Sequence, residues 1–139
     1  MKKLNNRGFT MAELLAVITI LGVLLMVSVG AVMRHLIKTR QQAMETIGSS
    51  SYDGMVMYMM DNNILLNPSE SISISIEELY NDERIERPSD PYNEGKMCSG
   101  TVTVRNATTS STTGLEDYKY TVNVECTGNH KIEQIYPKK

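Results

Sequence analysis

The sequence predicts an α+β fold: one long N-terminal α-helix, membrane-spanning in its first half, packed by its second half against a small antiparallel β-sheet. Three observations predict it. Leu14 to Met33 is a run of twenty residues without Asp, Glu, Lys or Arg. Apolar residues (Met33, Leu36/Ile37, Met44, Ile47, Met55, Tyr58/Met59) then recur roughly every three or four positions, the spacing of one helix face. Near the C-terminus, residues 98–105 and 118–126 alternate apolar and polar like strands, with a cysteine at the outer end of each.

As a helix, the uncharged run would be roughly 30 Å long, the thickness of a bilayer's hydrocarbon core. A short basic leader (Lys2, Lys3, Arg7) precedes it and ends at Gly8, and a single acid, Glu13, stands at its start. Three readings compete. A secretory signal peptide has a shorter apolar core, about 7–15 residues, although Ser28-Val29-Gly30 offers a weak cleavage site. A plain single-pass anchor fits the length but leaves Glu13 unexplained, since a carboxylate costs ~2.5–3.5 kcal/mol at the centre of a membrane helix. Near the edge that cost falls, because the side chain can snorkel.

The third reading supplies a partner. A cut between Gly8 and Phe9 gives Phe9 a free α-amino group, positive at neutral pH, four residues from Glu13. When such helices pack side by side with an axial stagger, the amine of one reaches the carboxylate of its neighbour. Either charge left unpaired in low dielectric would cost several kcal/mol, so the pair sets register.

The run Arg7-Gly8-Phe9-Thr10-Met11-Ala12-Glu13-Leu14-Leu15 resembles the prepilin signal of type IV pilins and type II secretion pseudopilins. The close likeness covers about residues 2–38. It implies a pilin-like fold, a dedicated prepilin peptidase cutting after Gly8, N-methylation of Phe9, and Glu13 as the acid used in assembly. The implied partners are the lipid bilayer, other pilin or pseudopilin subunits, and an inner-membrane assembly platform driven by a cytoplasmic ATPase. The implied location is the cell membrane, as a single-pass protein with its leader inside, and a surface filament after assembly. Major pilins, minor pilins and pseudopilins share this chemistry, whether the filament serves adhesion, motility, DNA uptake or secretion. The small domain and its cysteines are similar to pilins of Gram-positive bacteria. One departure is Gly30, where many major pilins carry proline; with Gly22 it allows local melting or close helix approach.

The chain divides into a leader (1–8), an apolar helix for membrane and polymer (9–33), its amphipathic continuation (34–62) and a small globular domain (63–139). Arg34, His35, Lys38 and Arg40 mark the outer membrane boundary; with basic residues at both ends, the positive-inside rule does not orient the span. Gly48-Ser49-Ser50-Ser51 and Gly54 predict a bend or break in the helix. The cluster Met55, Met57, Met59, Met60 suits a soft metal in principle, but gap-filling core packing is the better reading. Asn62-Asn63 and Asn67-Pro68 mark the helix exit. Ile72 to Ile76 alternates like a strand, yet Ser75-Ile76-Glu77-Glu78 reads as a capping box and predicts a short helix over 76–84. Residues 88–95 are turn chemistry throughout; their carboxylates lack a regular calcium-loop spacing, so a solvated loop is expected. Asn106-Ala107-Thr108 matches a glycosylation triplet that is common by chance in such loops.

If Cys98 faces Cys126 in an antiparallel pair, Val102 faces Val122 and Val104 faces Tyr120, with Val124 on the same side. The opposite face is then Ser99, Thr101, Thr103 and Arg105 against Lys119, Thr121, Asn123 and Glu125, polar throughout. The cysteine match and the amphipathic match agree on one register, which predicts both the hairpin 98–126 and a Cys98–Cys126 disulfide. Closing that loop would contribute ~3–4 kcal/mol through chain entropy. The tail from Ile132 is either one more strand or a loose end.

Of 139 residues only about 105 remain beyond the apolar run, too few for an enzyme with a deep cleft. Setting aside Lys2, Lys3, Arg7 and Glu13, there are 11 Lys+Arg against 15 Asp+Glu, and no basic run argues for nucleic acid. Two thiols with His35 and His130 poorly placed make no zinc site, and no serine has a placed base. No metal, cofactor or catalytic residue is expected. The expected function is a structural filament subunit; the alternative is a membrane-anchored, non-polymerising binding domain of the cell envelope.

Overall fold

The structure, a computed structural model, describes residues 9–107 and 117–137. Its first element, α1, is a single helix from Met11 to Asp61. Within the apolar run, hydroxyls are satisfied on the helix itself: Thr19 Oγ1 donates to Ala16 O and Ser28 Oγ to Leu24 O, both at 2.8 Å. That removes the cost of placing a bare hydroxyl in lipid. At its far end Asn63 turns into the left-handed region (φ 50°). Ile64 N–H then donates to Met59 O at 2.9 Å and Asn63 N–H to Met60 O at 3.2 Å, the bonds of a Schellman stop. The asparagine pair therefore ends the helix as the sequence predicts.

The chain forms two compact units, Met1–Thr39 and Arg40–Lys139. In the first, α1 is exposed along its whole described length. In the second, the rest of α1 meets a four-stranded antiparallel sheet in the order β1 (Ser71–Ser75), β2 (Ser99–Asn106), β3 (Tyr118–Cys126), β4 (His130–Tyr136). A short helix, α2 (Ile76–Asn81), links β1 to β2.

The β2–β3 register pairs Val102 with Val122 and Val104 with Tyr120, as the cysteine match requires. Strand β1 adds Ile72 opposite Val104 and Ile74 opposite Val102, and β4 adds Ile132 opposite Val124. Because side chains alternate, these residues share one face, and Val102, Val104 and Val122 are wholly buried there. The tail is thus a strand, not a loose end. Ser75 serves twice: it ends β1, and its Oγ accepts the Glu78 N–H at 3.1 Å as the cap of α2. Strand and helix both form. The helix stops at Asn81 rather than 84, because Glu83 (φ 57°) takes the left-handed exit and Arg84 N–H returns to Leu79 O at 2.9 Å.

The expected bend at Gly48–Ser51 and Gly54 does not occur; α1 runs through it. Gly48, Ser51 and Gly54 lie on the buried face with Met44, Met55 and Met59. A Cβ on Gly54 would overlap Ile85 Cγ2 and sit 3.2 Å from the Arg84 carbonyl oxygen; on Gly48 it would meet the end of the Gln134 side chain. Close approach outweighs the ~1 kcal/mol of helix propensity each glycine sacrifices. Tyr52, one turn after Gly48, stacks on Tyr136 at 4.5 Å and meets the Tyr120 ring edge-on at 4.9 Å, fastening α1 to β3 and β4.

The arm from Pro88 to Cys98 is held to the end of β3 by Asp90. Its Oδ1 accepts the Tyr92 N–H at 2.7 Å and its Oδ2 accepts the Thr127 N–H at 2.9 Å. Asp90 N–H donates to Lys96 O at 3.0 Å and Cys98 N–H to Pro88 O at 2.8 Å, closing the arm on itself. Beside this clamp Cys98 and Cys126 form the disulfide, with Cα atoms 4.4 Å apart. Burial pushes the Asp90 carboxyl up, but the bonds from the Thr127 hydroxyl and from the Thr127, Tyr92 and Asn93 N–H groups outweigh it. The result is a pKa below the ordinary carboxylate value.

Two outcomes are expected. Gly54→Ala lowers the denaturation free energy of the full chain in detergent by about 1–2 kcal/mol, and Gly48→Ala by less, because Gln134 can swing aside where the Arg84 backbone cannot. The depressed Asp90 pKa adds stability that is complete above the ordinary carboxylate value and is lost as pH falls through the folded value. Denaturation midpoints should therefore fall on acidification below about pH 4, and the gap between wild type and Asp90→Asn should narrow over that range.

Candidate functional site

The candidate site is the start of α1. Thr10 is the residue before the first helical turn, and Glu13 is the third residue inside it. The Glu13 N–H donates to Thr10 Oγ1 at 3.3 Å, while Glu13 Oε2 accepts from the Thr10 N–H at 2.9 Å and from Thr10 Oγ1 at 3.0 Å. Leu14 N–H closes the first turn on Thr10 O at 3.2 Å. This is a reciprocal capping box, in which side chains satisfy helix-end donors that would otherwise be bare. An acid in the first turn also meets the positive end of the helix dipole.

Glu13 therefore has a partner inside its own chain, which reasoning from the charge alone misses. The signal was present as the spacing Thr10-x-x-Glu13. The box uses one carboxylate oxygen only; among the described residues Oε1 accepts no hydrogen bond. The cap thus fixes the carboxylate at the helix rim with one oxygen open to the outside. Phe9 lies beside it, 82% exposed, and Met11, Leu14 and Leu15 are exposed as well. Gly8 lies outside the described residues. Helix α1 is long and apolar enough to cross a membrane, and none of its apolar window is buried within the chain.

The other candidates resolve differently. The four clustered methionines split: Met55 and Met59 are in the core, whereas Met57 and Met60 point outward, so they do not converge on one metal. In the loop 88–95, Asp90 turns both oxygens to backbone donors of the fold. The Asn106 side chain is buried and donates to Leu66 O at 2.8 Å, so the glycosylation triplet has its amide inside the fold. His130 stacks flat on Tyr92 at 3.6 Å, with the Arg40 guanidinium 5.4 Å from the same ring centre. An apolar groove of about 290 Å³ at the end of α1, lined by Met59, Met60, Ile64, Leu65, Tyr118 and Tyr120 among others, has only Asn63 and two tyrosines for polar side chains. None of these places sets an acid, a base and a nucleophile together.

Among the described residues, the disulfide joins the candidate pair Cys98 and Cys126 across a sequence separation of 28.

Comparison with protein families gives one match, the prokaryotic N-terminal methylation motif, over residues 3–29. Comparison with curated proteins and with solved structures gives no match. The matched stretch contains the Gly8–Phe9 junction, the Thr10–Glu13 cap and most of the apolar run. A pilin-type motif implies processing by a prepilin peptidase and assembly with other pilin subunits, and with the apolar helix it is consistent with membrane anchoring. The chain carries a type IV prepilin-like signal on a long apolar helix.

Proposed function

We propose that this protein is a structural subunit of a type IV pilus-like filament, cut between Gly8 and Phe9 and N-methylated on Phe9. The observation that carries the reading is the methylation motif over residues 3–29, which takes in most of an apolar run that no described residue covers. Before assembly the helix is solvated by lipid; in the filament it is covered by the same helix of other subunits. Burial of that surface, at about 25 cal/mol per Å² removed from water, supplies the cohesion once the subunit leaves the bilayer. An inner-membrane platform would extract subunits, and the domain would stand on the filament surface.

Glu13 then has two tasks. Oε2 closes its own helix through Thr10, and Oε1 receives the Phe9 amine of the neighbouring subunit. The charge pair sets axial register because a slip would strand both ions in low dielectric.

The two tasks separate by mutation. Glutamine keeps the capping box but not the charge. Glu13→Gln and Glu13→Ala should both leave membrane insertion and leader removal intact while abolishing recoverable surface filaments. Thr10→Val, which weakens the cap by about 1 kcal/mol and keeps the charge, should retain most of them. Filaments at wild-type yield from Glu13→Gln would overturn the register role. Sequencing the mature N-terminus tests the processing: methylated Phe9 is expected, whereas Ala31 would indicate ordinary signal cleavage and Met1 a simple anchor.

A further inference from the structure

The disulfide has a charged neighbour. A carboxylate oxygen of Asp90 and the sulfurs of Cys98 and Cys126 all lie within 4.8 Å of one another, and all three residues are buried. Cys98 is 4% exposed, Cys126 5% and Asp90 6%, so little solvent intervenes to screen the charge. The carboxylate is anchored by the N–H groups of Tyr92 and Thr127, and Thr127 directly follows Cys126. Asp90 therefore cannot turn away from the sulfurs without releasing the clamp.

We propose that Asp90 is a charge guard for the Cys98–Cys126 bond, repelling the thiolates that would reduce it. Disulfide reduction begins when a thiolate forms a bond to one cysteine sulfur. The S–S bond breaks, and its electron pair leaves on the other sulfur as a cysteine thiolate. A second thiolate then displaces the first from the mixed disulfide. Two thiols are thereby oxidised to their own disulfide, and their two protons pass to the two reduced cysteines. In each step one negative charge is spread over three sulfurs. Asp90 places a fixed negative charge beside that transition state, within 4.8 Å of both sulfurs. The barrier rises for every thiolate, and most for one whose own body is anionic.

A surface-displayed subunit gains from this arrangement. Its domain has a small core, and breaking the disulfide would leave the arm that carries Cys98 held by Asp90 and backbone hydrogen bonds alone. A neutral residue at position 90 could fasten the arm but would leave the bond open to anionic reductants. The guard and the fastening thus require different properties of one side chain, its charge and its acceptor oxygens, and they can be tested apart.

The experiment uses the full chain in detergent, with reduction followed by thiol trapping and mass measurement. Three thiols are compared at equal thiolate concentration: cationic cysteamine, neutral 2-mercaptoethanol and anionic 2-mercaptoethanesulfonate. The decisive quantity is the cysteamine-to-sulfonate rate ratio. It should be about tenfold higher in the wild type than in Asp90→Asn, and higher in the wild type than for the uncharged disulfide of 2-mercaptoethanol. Thr127→Val, which removes the hydroxyl bonded to Asp90 but keeps its charge, should speed all three thiols together and leave the ratio at the wild-type value. An unchanged ratio in Asp90→Asn, even with faster reduction throughout, would overturn the guard and leave Asp90 as a fastening only. Should Asp90→Asn fail to fold, a wild-type ratio no greater than that of the small disulfide would overturn it equally.

Discussion

Between Leu14 and Met33 the side chains of α1 are nearly all aliphatic on every side, and no described residue covers them. Water is the one surrounding it cannot have. Much else in the N-terminal unit answers this constraint. Thr19 and Ser28 turn their hydroxyls onto the helix backbone, Glu13 stands in the first turn rather than deeper, and the helix start is closed by its own side chains. Each arrangement leaves the helix able to pass between lipid and protein with no polar group stranded on the way.

The second unit solves a different problem, that of folding with few residues. Its core is one sheet face, a strip of α1 and the short α2, and it relies on close approach instead of bulk. Gly48, Ser51 and Gly54 let the helix settle onto its neighbours, Tyr52 locks it sideways to two strands, and the disulfide with Asp90 holds the one long arm. A larger side chain would bury more area at Gly54 but would force the helix from the Arg84 carbonyl, so packing geometry outweighs apolar content there.

These two economies explain which features could be read from the chain and which could not. The β2–β3 register was legible because two independent patterns, the cysteines and the alternating valines, admit only one solution. The long apolar helix was legible because composition alone defines it. The glycines misled, since their helix propensity is local while the contact that favours them comes from residues 84, 85 and 134. Ser75 was ambiguous only because strand and helix share it. The capping role of Glu13 was written in the sequence at Thr10 but is hidden when the acid is weighed only as a charge. Asp90 was not legible at all: its partner Thr127 lies 37 positions away, and nothing local distinguishes it from the other acids of a turn.

The start of α1 also bears on the order of events in maturation. Among the described residues, the hydrogen bonds that close this helix end lie between Thr10 and Leu14. Removing everything up to Gly8 would therefore leave those bonds in place. The severed subunit would need no refolding at its new terminus, and the amine would appear next to a carboxylate already held in place. Processing in that case would change the charge at the tip of a part whose capping bonds are already made.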